Sequence, residues 1–153
     1  MTDWNDPKSK ISKYFSVHDA TFLPSWQIHH TPSAEERVNI LATAVKMDCV
    51  REFLGAPISV HVWIRPAAVN CPGDSRSGQD YNAFVKGAQK STHLVGKAVD
   101  WSVVGKRSAA ECAEIRTKLL SKLEEFGIRM EDINGNWIHV DTGAVINKRF
   151  FKP

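Results

Sequence analysis

The chain has 153 residues, 42% of them hydrophobic and 24% charged, with a formal net charge of +3 at pH 7. That length supports one domain around one core, and the composition excludes a disordered or fibrous chain. No run is long and apolar enough for a membrane helix, and three widely spaced cysteines (Cys49, Cys71, Cys112) without a CxxC pair exclude a disulfide framework.

The opening Met-Thr-Asp-Trp-Asn-Asp-Pro is polar and acidic. It is not a secretory signal, so the expectation is a protein made in the cytoplasm. Residues 1–10 read as a loose arm ahead of a single domain over 11–153. Ser16 with Asp19 three positions later has the form of a capping box and predicts a short helix over 17–22. Ser33, followed by Glu35 and Glu36, caps a long helix over 34–54 that Gly55 and Pro57 end. Val38, Leu41, Val45, Cys49 and Phe53 recur at spacings of three and four and read as its buried stripe.

Ile58–Ile64 alternates as a strand, with Val60, Val62 and Ile64 on one face and His61, Trp63 and Arg65 on the other. Residues 66–80 are loop, and Tyr81–Lys86 is a short helix ended by Gly87. Ala98–Val103 is a second strand. Ser108 and Glu111 form a further capping box for a second long helix. Its stripe is Cys112, Ile115, Leu119, Leu123 and Phe126, and Gly127 stops it. Cys49 and Cys112 read as small core residues. Asn136–Asp141 is a third strand. In the tail, Lys148, Arg149 and Lys152 beside Phe150 and Phe151 are too few for a nucleic-acid patch, so no such partner is expected. The fold class that follows is α+β: one domain, a small antiparallel sheet and two long flanking helices.

Alternation places Ala98, Asp100 and Ser102 on one face of the second strand, and Trp137, His139 and Asp141 on one face of the third. If these strands are neighbours, Asp100 meets His139, and His93 folds over them from the preceding loop. Two imidazoles and one carboxylate leave a fourth position for water, which is the pattern of a catalytic zinc site. One Zn2+ ion is therefore the expected cofactor, set against the alternative of unrelated polar residues.

The pattern Ser91-x-His93-x-x-Gly96-x-Ala98-x-Asp100, followed by Trp137-x-His139-x-Asp141, resembles the zinc-dependent peptidoglycan peptidases of the M15 type. These include D-Ala-D-Ala carboxypeptidases, phage endolysins and murein endopeptidases, and Hedgehog domains share their fold. Further likeness lies in Ile11–Ser16, in Val50–Ile58, in Trp63-Ile64-Arg65-Pro66, and in Asn82-Ala83 with Gly87-Ala88. The resemblance implies His93, Asp100 and His139 as zinc ligands and Arg65 beside the substrate, where it would stabilise a developing oxyanion. It implies a peptidoglycan peptide as substrate, no membrane insertion, a monomer, and a phage-type endolysin waiting in the cytoplasm.

Many members place an acidic general base three residues before the last ligand. That position here is Asn136. Asp141 is then the first candidate base, or a partner orienting His139. His61 is the second, and Glu131 and Asp132, read as loop residues, are weaker ones. The murein endopeptidases with a His-x-Asp-Thr-Gly ending share the missing acid, and His139–Gly143 has that form. The missing acid also admits an alternative, a degenerate module that binds cell wall or a protein partner.

Overall fold

The computed structural model describes residues 1–153. Helix α1 (Val17–Thr21) begins at Ser16, whose capping box with Asp19 is complete. Strands β1 (Phe22–Leu23) and β2 (Ile28–His29) form a minimal hairpin. Helix α2 (Ala34–Leu54) starts at the Ser33–Glu36 capping box and stops at Gly55 in the left-handed conformation. Then come β3 (Ile58–Val62), α3 (Tyr81–Phe84), a 3-10 turn (Thr92–Val95) and β4 (Ala98–Val103). Helix α4 (Ala109–Leu119), a 3-10 turn and α5 (Leu123–Phe126) lead to β5 (Arg129–Glu131), β6 (Ile138–Asp141) and β7 (Phe150–Phe151).

The main sheet has the order β3-β4-β6-β5-β7. The expected antiparallel sheet is corrected in one respect, since β5 and β7 run parallel and make it mixed. The second long helix is also corrected. It lasts 11 residues, and a 3-10 turn at Leu120–Lys122 breaks it before α5. Cys112, Ile115, Leu119 and Leu123 are still buried as the stripe requires.

In α2 the expected stripe faces the wrong way. Val38, Val45 and Phe53 are exposed, and Ile40, Thr43, Ala44, Met47 and Val50 are buried. Both rows have helical spacing, so periodicity alone does not choose between them. What chooses is the sheet. Its apolar face carries Val99, Trp101, Val103, Met130, Ile138 and Val140, and these join Ile40, Ala44, Met47 and Val50 in one core cluster with Cys112, Ile115 and Leu119 of α4. Cys49 is only half-buried, at the edge of that contact. Residues 1–10 are not loose either. The Val17 and His18 amides donate to Ser9 and Pro7, and Trp4 packs on the core.

The opposite sheet face carries Asp100, Ser102, His139 and Asp141 by the alternation of β4 and β6. One close approach sets the 3-10 turn that carries His93 against α2. Gly96, at φ +77, ends the 3-10 turn, and a Cβ there would lie 2.7 Å from Ile40 Cγ1. Gly96→Ala should therefore cost about 2–4 kcal/mol, from left-handed strain plus overpacking against a fully buried side chain. Chemical denaturation would measure the loss.

Candidate metal centre

Asp100 and His139 are direct cross-strand partners in β4 and β6, with Ala98 opposite Asp141 one step on. The sequence reading of these two strands therefore holds, apart from the start of β6 at Ile138 rather than Asn136. His93 comes from the 3-10 turn. Ser91 Oγ caps that turn by accepting the His93 amide at 3.2 Å. The turn is bolted to the end of β3 in both directions. His93 Nδ1 bonds to the Trp63 carbonyl at 2.6 Å, and the Arg65 amide donates to the His93 carbonyl at 2.9 Å. Trp63 Nε1 also donates to the Gly96 carbonyl at 3.0 Å.

These bonds decide which nitrogen of each imidazole is free. A carbonyl only accepts, so His93 Nδ1 carries the proton and Nε2 is left with a lone pair. That Nε2 is buried without a hydrogen-bond partner, 3.2 Å from Asp100 Oδ1. His139 Nε2 faces Asp141 Oδ2 at 3.3 Å, and its Nδ1 lies 2.8 Å from the same Asp100 Oδ1. Asp141 is held as a carboxylate by a two-pronged bond from Arg129 at 2.6 and 2.9 Å and by the Gly143 amide at 2.9 Å. Asp141 and Asp100 both only accept, so without a metal the His139 ring donates from both nitrogens; a metal that replaces the Nδ1 proton takes that lone pair while Nε2 goes on donating to Asp141.

Two imidazole nitrogens and a carboxylate oxygen thus converge, with one ligand atom from each residue lying within 4.8 Å of the others. Atoms with lone pairs this close are held together by a shared positive charge, a proton or a metal ion. Two imidazoles and one carboxylate suit a divalent first-row metal, with room for a further ligand. The electrostatics agree. Burial opposes a charge on His139, but hydrogen bonds to Asp100 and Asp141 outweigh it and push the imidazole up to about 9. Burial likewise opposes ionisation of Asp100, yet the neighbouring His93 and His139 hold its carboxyl well below the usual range. For Asp141, hydrogen bonds from His139 and Arg129 override burial and bring the carboxyl down to about 2. The cluster attracts positive charge, whether a proton or a metal.

A cleft of about 350 Å³ opens onto the cluster, lined by Arg65, Asp100, Glu131, Trp137, His139 and Asp141 among others. A larger depression of about 460 Å³ lies far from this chemistry, between Lys13, Tyr14, Arg51 and Glu52. Its charges are satisfied locally, by the Lys13–Glu52 ion pair and the stacking of Arg51 on Tyr14.

The structure separates the residues considered for proton transfer. Asp141 is 1% exposed and its oxygens are committed, which is the orienting role rather than that of a base. His61 sits at a bulge in β3, bonded to Ser102 Oγ at 2.8 Å, and lines a neighbouring cavity rather than the cleft. Burial and the nearby Arg107 lower its pKa. Asn136 is exposed and outside the cleft lining. Asp132 is paired with Lys152 at 2.8 Å.

Glu131 is not a loop residue. It ends β5, whose register sets Arg129 opposite Asp141 and Met130 opposite Val140, so the next step brings Glu131 opposite His139. Its Oε1 lies 3.9 Å from His139 Nε2, and its side chain is 22% exposed in the cleft. The signal that could have found β5 was Asn134-Gly135, a turn dipeptide inside the six-residue connection between β5 and β6. Arg65 is in the cleft as expected. Its Nη2 donates to Ser91 Oγ at 3.0 Å, and its Nε is buried without a partner.

The sequence model of a family described as Peptidase M15 matches residues 20–141, a span that contains Arg65, His93, Asp100, Glu131 and His139. None of the curated proteins and none of the solved structures compared with the chain is a significant match.

Proposed function

Because the chain belongs to the peptidase M15 family, and so is a metal-dependent peptidase, we propose that it uses one zinc ion to hydrolyse peptide bonds in the stem peptides or cross-links of peptidoglycan. The observation that carries the metal reading is the buried, unpartnered Nε2 of His93 aimed at the oxygen that His139 also faces. His93 Nε2, Asp100 Oδ1 and His139 Nδ1 would hold the ion. Zinc bound there supplies a water with a pKa near neutrality and polarises a carbonyl.

The chain's own residues do the rest. Glu131 accepts the proton of the attacking water at its carboxylate and returns it to the leaving amine. This role fits its partial exposure and its place opposite His139. Arg65, tethered by Ser91, donates to the carbonyl oxygen as negative charge develops there. Asp141, anchored by Arg129, keeps the proton of His139 on Nε2 and so keeps Nδ1 available as a ligand. With Glu131 in the cleft and Asn136 outside it, a missing acid no longer argues for a degenerate binding module. The cell wall is the proposed place of action.

The test is zinc content together with loss of turbidity of purified cell walls. About one zinc per chain and release of new amino termini are expected. Mass spectrometry of the released fragments identifies the bond. A zinc-loaded protein that opens no bond in walls of any stem-peptide type overturns the substrate assignment.

A further inference from the structure

Next to the metal cleft lies a second cavity of about 230 Å³, lined by His61, Val62, Arg65, Tyr81 and Val85 with Pro24 and Ser25. Arg65 lines both spaces, so it forms the wall between them. The two differ in their acids. The metal cleft holds Asp100, Glu131 and Asp141 beside Lys90, Arg129 and Arg65, whereas the second cavity has Arg65 and no acidic residue in its lining.

Three donor groups of the residues that line this cavity have no acceptor in the protein. Arg65 Nε is buried and unpartnered. Tyr81 Oη accepts the Ser25 amide at 3.1 Å, and no protein group takes its own proton. The Tyr81 ring is 2% exposed and wedged between Trp26 and Phe84, so the hydroxyl is held in place. The third donor follows from the His61–Ser102 bond. The Ser102 hydroxyl is fully buried and His61 Nε2, at 2.8 Å, is its one partner. A buried hydroxyl places its proton where it can, so Ser102 donates to Nε2. His61 then carries its own proton on Nδ1, free to donate. Burial and Arg107 favour that neutral ring. The β-bulge between Val60 and Val62 is what turns His61 out of strand alternation.

Donors without acceptors, around a pocket without acids, specify an anionic acceptor group. Val62 and Val85 leave space for a short aliphatic stem. We propose that this cavity is a substrate subsite that receives a carboxylate, carried by a residue next to the scissile bond, with Tyr81 and His61 as its donors and the Arg65 guanidinium as the positive charge in its wall. The inference rests on the peptidase reading above. Such a carboxylate comes either from the end of the peptide or from a side chain.

The experiment compares four forms of one stem peptide on the zinc-loaded protein. The forms are free acid throughout, amidated at the terminus, amidated at the side chain, and amidated at both. The wild type should favour the free acid by about tenfold or more over the doubly amidated form, the size of one charge-assisted hydrogen bond, and chiefly in KM. The single amides show which carboxylate is read. Tyr81→Phe and His61→Asn should each bring the ratio towards one. Equal kcat/KM for all four forms overturns the subsite. If no peptide is cleaved, the peptidase reading fails instead, and calorimetric binding of the same peptides decides the subsite. Tighter binding of the acid that Tyr81→Phe abolishes supports it; equal binding of acid and amide, or no binding of either, overturns it.

Discussion

Replacing Glu131 by Gln should lower kcat on the cleaved peptide by about 100- to 10,000-fold and leave the bound metal at its wild-type level. The substitution keeps size and hydrogen bonding but removes the site for a proton. Glu131 is not among the three cluster residues, so metal binding does not depend on its charge. Asp141→Asn should behave differently. Its carboxylate is buried between Arg129 and His139, and the substitution removes the charge that pairs with Arg129 and turns one of its two acceptor oxygens into a donor, so Arg129 and His139 compete for the one that is left. Metal affinity should fall about 10- to 100-fold, with a loss of stability. Steady-state kinetics beside metal analysis separates the two. A Glu131→Gln protein with full turnover would return the base to another residue.

His93→Ala should reduce bound metal to near zero and activity to background, because it removes a ligand that has no substitute within the cluster. It should also erase the stability that metal gives, about 4 kcal/mol at a thousandfold excess over Kd. In the wild type that gap depends on pH, and its sign is fixed by His139. Without metal, the folded imidazole is raised from 6.5 to about 9, so its contribution is complete below pH 6.5 and is lost as pH climbs towards 9. Metal does not need that proton. The difference in Tm between loaded and metal-free protein should therefore widen from pH 6.5 to 9. In acid, both forms weaken as Asp141, whose carboxyl is brought down to about 2, gains its proton. Thermal scans across this range would check both limits, and a gap that stays constant would contradict the cluster's place as the metal site.

Much of this was legible in the chain because short-range chemistry sets it. Ser33 with Glu36 and the left-handed Gly55 define α2 within its own sequence. Asp100 and His139 sit in strands whose alternation is plain. What was not legible depends on partners distant in sequence. The buried face of α2 is chosen by β4 and β6, not by α2. Strand β5 is three residues long, too short for alternation to register, and exists because β6 and β7 flank it. That is why Glu131 read as loop. His61 was misplaced because a bulge breaks the two-residue period at that residue. For Asp141, the face was right, and the ion pair that commits it was invisible because Arg129 lies on the unrecognised strand.

The parallel pairing of β7 with β5 has a practical consequence. Phe151 sits beside Glu131 in register, stacks under Arg129 at 4.6 Å, and with Pro153 borders the metal cleft. Anything joined after Pro153 emerges at the mouth of that cleft. A purification handle fused there would crowd the approach of a polymer such as the cell wall, and a polyhistidine handle would bring competing imidazoles to the ion. Met1 is not among the residues that line the cleft, so recombinant work is better served by a handle ahead of it.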